Sequence, residues 1–229
     1  MSFRFGGKII TDGLVLYLDA ANKSSYPGSG TTWYDLSINK VDFTLYGSPT
    51  FDGKNFEFGV SSVYAKKTYT SILDLKTTHT LDFWVYPYGT SGPVNGDQAI
   101  IRAGDGADQQ YTIFYRASST NKFFSYSYYD TTIPDFIYKD CTGLSPQNKW
   151  YNIVATKNGT SLNLYINGQL DSTHTVTTSV PTYGSVYVGG VDTTQMFEGK
   201  LSCGKIYNRA LSASEVLQNY NALKGRFGL

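Results

Sequence analysis

The last third of the chain constrains its fold most. It reads Lys149-Trp-Tyr-Asn-Ile-Val-Ala-Thr156, then Asn158-Gly159, then Ser161-Leu-Asn-Leu-Tyr-Ile166 and a second Asn-Gly pair at 167–168. Alternating apolar runs that meet at Asn-Gly are the strongest short-range signal for a β-hairpin, because both turn positions need positive φ. A further strand follows at 199–207. After it, Ser212 and Glu215 stand three residues apart, the spacing of a capping box. Val216, Leu217 and Tyr220 then share one face at helical spacing. Strand, hairpin, strand and one short helix, in that order, point to an antiparallel sandwich with a helix laid against it.

The rest of the chain agrees. Apolar or alternating runs of strand length stand at 14–18, 42–46, 55–58, 80–87, 99–102, 111–115, 123–129 and 185–189. In the run from Thr80 to Pro87, Leu81, Phe83 and Val85 point one way and Asp82, Trp84 and Tyr86 the other. The chain carries 20 Tyr, 13 Phe and 23 Gly in 229 residues, which suits many half-buried strands joined by tight turns. The stretch between Tyr129 and Trp150, with Pro134 and Pro146, reads as irregular, and Lys66-Lys67 as a solvated edge. Sandwiches of this length commonly form one domain. The expected division is an arm at 1–12, a domain at 13–223 and a tail at 224–229, both ends being candidate attachment points.

Composition excludes several functions. A formal charge of +1 with no basic stripe argues against nucleic-acid binding. No apolar stretch is long enough to span a bilayer, and the first residues lack the pattern of a secretory signal. Cys141 and Cys203 read as separate buried thiols, which predicts folding in a reducing cytosol.

The order of motifs from about Leu14 to Leu223 resembles laminin-G-like domains of the concanavalin A-like lectin/glucanase type. The matching pieces are Phe51-Asp52-Gly53, Thr80–Val85 with Pro87, Trp150–Val154 and Leu164–Gly168. They continue with Gly189-Gly190, Phe197-x-Gly199-x-Leu201 and Ile206–Leu211. This implies an all-β fold, a two-sheet antiparallel jelly-roll sandwich with one short C-terminal helix. The opening, from Gly13 through Tyr26-Pro27-Gly28 to Ser37, and the tail from Asn219 to Leu229 resemble laminin-G-like proteins of tailed bacteriophages. That implies a non-catalytic virion component: a capsid decoration, head fibre or tail-fibre part. Such a protein is made in the host cytoplasm, mounted on other capsid or tail proteins, and open to homo-oligomeric assembly. A carbohydrate-binding role at a cell-surface glycan goes with it. The alternatives are a soluble calcium-assisted lectin and, behind it, a glycosidase.

Related glucanases need paired carboxylates, about 5–5.5 Å apart for retaining hydrolysis. Here the three Glu, at 57, 198 and 215, are isolated in sequence. His79 and His174 have no nucleophile at a recognisable spacing. The expectation is that the chain is no enzyme.

For calcium, which prefers hard oxygen ligands, the candidates are Asp97, Asp105 and Asp108 in two acidic loops, Asn95-Gly96-Asp97 and Asp105-Gly106-Ala107-Asp108. Laminin-G-like domains often hold one ion at the sandwich rim. Ser202-Cys203 stand where many of them carry an acidic residue. For a glycan, the candidates are Phe124, Tyr126 and Tyr128, which share one face of their strand. They could stack on a sugar if that face is the open one, and are core if it turns inward.

Overall fold

A computed structural model describes residues 7–59, 62–88, 96–116, 122–191 and 195–229. The first strands are β1 (Leu14–Asp19), β2 (Thr32–Trp33), β3 (Phe43–Tyr46), β4 (Thr50–Phe51), β5 (Phe56–Phe58) and β6 (Tyr64–Thr68). The middle of the chain forms β7 (Thr78–Pro87), β8 (Asp97–Ala103), β9 (Tyr111–Arg116), β10 (Phe123–Asp130) and β11 (Asp135–Asp140). The last five are β12 (Tyr151–Asn158), β13 (Ser161–Ile166), β14 (Gln169–Thr175), β15 (Ser185–Val188) and β16 (Gly199–Tyr207), and α1 (Ala213–Leu223) follows.

Among the described residues these strands form two eight-stranded sheets. The first runs β14-β13-β12-β7-β16-β5-β4, with β1 also paired to β16, and the second β11-β10-β9-β8-β15-β6-β3-β2. Every pairing is antiparallel. This is the expected sandwich.

Local chemistry explains the hairpins. Asn167 and Gly168 both have positive φ, 52° and 77°, between the paired residues Ile166 and Gln169. That is the backbone of a tight I′-like turn. The capping box at α1 is complete: Ser212 accepts from the Glu215 amide, and Glu215 accepts from the Ser212 amide. Gly199 allows the close approach read for it, since a Cβ there would lie 2.2 Å from the Tyr86 carbonyl oxygen.

The core lies between the sheets. Leu81, Phe83 and Val85 point into it from β7, and Ile101, Ile113 and Val186 from the second sheet. A β-bulge between Ala99 and Ile101 turns both Ile100 and Ile101 inward. Cys141 and Cys203 are both buried and unbonded.

Five strands escape the sequence pattern, β2 and β4 because they are only two residues long. β6 contains Lys66-Lys67 but lies between β3 and β15, so the pair is not at an edge. β11 falls in the stretch read as irregular, and β14 in a Ser/Thr-rich run. Both are outer strands of their sheets with few buried residues, so no continuous apolar face marks them.

Candidate functional site

The outward face of the first sheet is closed by the chain itself. Trp84 is fully buried there, stacked on Phe227 at 4.1 Å between ring centroids and on Tyr220 at 5.6 Å. Phe227 also meets Trp150 at 4.6 Å. Asp82 and Lys205 form a fully buried ion pair at 3.1 Å. Asn152 and Asn219 donate amide N–H groups to the same carboxylate at 2.7 and 3.1 Å. Residues of the expected tail at 224–229 pack on the domain: Arg226 donates to Asp19 at 2.9 Å and to Ser202 at 2.5 Å.

No comparable helix or tail is packed on the outward face of the second sheet among the described residues. Its registers align one row of side chains across the strands: Lys66, Tyr187, Arg102, Thr112, Ser127 and Tyr138. Thr44 and Thr32 extend the row to the far edge. Adjacent strands lie about 4.8 Å apart, so the six central positions span roughly 24 Å. Phenol rings and hydroxyls alternate here with two cations.

The row is organised from both ends. Lys66 sits over the Tyr187 ring at 5.0 Å, and the Tyr187 hydroxyl donates to Asp105 at 2.7 Å. Burial, then the Asp105 contact, raises the Tyr187 pKa. On the far side Tyr138 is 37% exposed, with the Arg116 guanidinium 4.7 Å from its ring centroid. Tyr138 also lies 6.3 Å from Phe114, centroid to centroid. Arg116 is held by Asp97 at 2.7 Å and Asp140 at 3.4 Å. Beside the row, Tyr46 stacks on Tyr64 at 5.1 Å, and Tyr46 is 43% exposed. Thr112 and Ser127 form a covered floor between Arg102 and Tyr138, with Gln109 donating to Ser127. Exposed rings beside fixed polar groups can stack on the apolar face of a sugar and bond its hydroxyls.

Phe124, Tyr126 and Tyr128 are not part of this face. They point between the sheets and are at most 3% exposed, so stacking on a sugar is corrected to a core role. The Tyr126 hydroxyl pairs with His79 Nε2 at 3.1 Å, and Phe124 meets Tyr151 at 5.4 Å. It is the intervening Ser125 and Ser127 that face outward, paired with Phe114 and Thr112. The rings that do face outward come from other strands, Tyr138 from β11 and Tyr187 from β15.

The calcium candidates are corrected as well. Asp97 begins β8 while Asp105 and Asp108 follow its end, which separates them by roughly 20 Å of extended chain. Asp97 is the partner of Arg116. Asp108 accepts from the Asp105 amide at 2.5 Å and from the Gly184 amide at 2.9 Å. These are the bonds of a turn. Asn95 lies outside the described residues. No group of three or more metal-ligating side chains converges among the described residues. At the Ser202-Cys203 step, the Arg226 guanidinium lies between Ser202 and Asp19, which opposes a cation there.

Glu215 is held by Arg209 at 2.7 Å, and that contact, with the Ser212 amide, pulls its pKa down to about 2. His79 is buried between Leu75 and Tyr126 in the core.

Two packed antiparallel sheets, the second with exposed Tyr138 and Tyr46 at or beside its outward row, define a lectin-like jelly roll. The chain belongs to the concanavalin A-like lectin/glucanases superfamily, whose laminin-G-type family model matches residues 58–217. No curated protein sequence matches it. Among solved structures it is similar to the receptor-binding domain of a botulinum neurotoxin C/D mosaic serotype, with a TM-score of 0.71 and 16% identity. That match covers 92% of this chain and 51% of the neurotoxin domain. It is also similar to the Trypanosoma rangeli sialidase solved with sialic acid, with a TM-score of 0.69 and 18% identity. There 96% of this chain matches 34% of the sialidase. The chain thus spans about half of the neurotoxin domain and a third of the sialidase, and at these identities the likeness is one of fold.

Proposed function

We propose that this protein is a non-catalytic, lectin-like binding module that meets a carbohydrate with the outward face of its second sheet. The observation that carries this reading is the row from Lys66 to Tyr138 on the outward face of the second sheet, with the exposed Tyr138 ring at its end. Tyr138 supplies an exposed ring for stacking, while Lys66, Arg102 and Tyr187 supply polar groups already fixed by neighbours. A non-catalytic role is supported by the carboxylates: Asp97, Asp105, Asp108 and Glu215 are each committed to a structural partner.

Within this reading the module sits on a tailed-phage particle as a capsid decoration, head fibre or tail-fibre component. It is synthesised in the host cytoplasm and mounted on other virion proteins. The support is the phage-like character of residues 13–37 and 219–229. Arg226 and Phe227 in the second of these segments are packing residues of the fold, so they do not serve as a free tether.

A glycan array probed with the purified protein tests the binding claim, run with calcium and again with chelator. Binding that survives chelation and disappears in Tyr138→Ala is expected. Silence across the array in both conditions would remove the carbohydrate reading. Mass spectrometry of purified particles tests the setting, and absence of the protein from them would refute it.

A further inference from the structure

The described arginines are 102, 116, 209 and 226, and three of them have a carboxylate within ion-pair range. Arg102 has none. It is 7% exposed and stands in the middle of the outward row, between Tyr187 and Thr112. Its Nε donates to the Gly104 carbonyl at 2.7 Å, and one Nη1 N–H to the Gln195 side-chain oxygen. A guanidinium has five N–H donors. The remaining three have no partner among the described residues. Beside them the Thr112 hydroxyl is buried with no hydrogen-bond partner among the described residues.

Largely burying a cation without a counter-ion is costly. Burial lowers the Arg102 pKa, with Asp105 and Asp108 acting against it from beyond ion-pair distance. Both of these carboxylates already accept other bonds, from the Tyr187 hydroxyl and from the Asp105 and Gly184 amides. Gln195 and Gly104 fix the plane of the guanidinium, so its free edge is presented in one orientation. Such an edge matches a carboxylate, which can take two parallel N–H bonds. Lys66 adds a second cation two strands away, about 10 Å across the sheet.

We propose that the face selects glycans carrying a carboxylate, with the acid group on Arg102 and a sugar ring stacked on Tyr138. This rests on the carbohydrate reading above and adds the substrate class. Tyr138 and Arg102 lie three strands apart, roughly 14 Å at the backbone, and both side chains are long enough to close part of that gap. The planar two-pronged fit favours a carboxylate over a tetrahedral sulfate.

The test compares matched ligands on the intact protein. Uronate- and sialate-terminated oligosaccharides are titrated beside the same compounds with the carboxyl reduced to an alcohol, and beside sulfated neutral glycans. Charge-assisted bonds of this kind predict at least about tenfold tighter binding of the acids. Arg102→Gln should abolish that preference while leaving weak, Tyr138-dependent binding. Arg102→Lys should retain part of it. Equal affinity for acid and reduced forms would overturn the proposal, as would tighter binding of the sulfated series or a preference that survives in Arg102→Gln. The wild-type comparison needs no variant to fold. If neutral glycans bind through Tyr138 without an acid preference, only this inference falls. If no glycan binds at all, the carbohydrate reading falls with it.

Discussion

Mild acid should destabilise this protein through His79, the one histidine placed in the core. The ring is 1% exposed, Nδ1 lies 2.8 Å from the Leu75 carbonyl, and Nε2 lies 3.1 Å from the Tyr126 hydroxyl. A neutral imidazole satisfies both, donating from Nδ1 and accepting at Nε2. Protonation would leave Nε2–H facing the hydroxyl inside the core. Burial first, and then the nearby Lys157 charge, push the His79 pKa down from 6.5 to about 3. The folded state therefore binds fewer protons than the unfolded state between those values, so stability falls as pH drops from 6.5 toward 3.

Each pH unit inside that window costs about 1.4 kcal/mol. From pH 6.5 to 4.5 the loss is roughly 2 kcal/mol, before most carboxylates begin to protonate. Urea unfolding at half-unit pH steps measures it, with m checked for constancy so that midpoint shifts report stability alone. His79→Gln, which can offer a donor and an acceptor but does not titrate, should be less stable at pH 7 and should flatten the dependence between 6.5 and 4.5. A wild-type midpoint independent of pH across this interval would refute the argument, as would an unchanged slope in the variant.

Other outcomes follow from the closed face of the first sheet. Lys205→Met alone leaves Asp82 charged and buried, and should cost roughly 3–5 kcal/mol in urea unfolding. The double variant Asp82→Asn/Lys205→Met should recover much of that loss, and additive losses would contradict the pairing. Phe227→Ala removes the ring stacked on Trp84 and tilted against Trp150, and should cost about 2–3 kcal/mol with a marked rise in Trp solvent exposure by fluorescence. A variant with unchanged emission would mean that the tail does not dock.

The sequence made the fold readable wherever one local rule sufficed. Asn167-Gly168 announces its turn, Ser212 and Glu215 announce the helix start, and Leu81, Phe83 and Val85 announce an inward face. The partners across the sandwich were not readable. Trp84 points away from the core and is buried nonetheless, because Phe227 comes back from 143 residues along the chain to cover it.

The same limit hid the candidate site. Phe124, Tyr126 and Tyr128 form a conspicuous alternation, but alternation says only that residues share a face, not which face is open. The outward row draws one or two residues from each strand, so no segment of the sequence concentrates it. Its most exposed ring, Tyr138, lies on β11, a strand with too few apolar residues to announce itself.

The central claim is that a carbohydrate binds on the outward face of the second sheet. It is tested most directly by NMR, following backbone amide shifts of the labelled protein during titration with a glycan chosen from the array. The expected perturbations concentrate on Lys66, Arg102, Thr112, Ser127, Tyr138 and Tyr187. Shifts centred instead on the first sheet around Trp84 and α1, with that row unmoved, would contradict it.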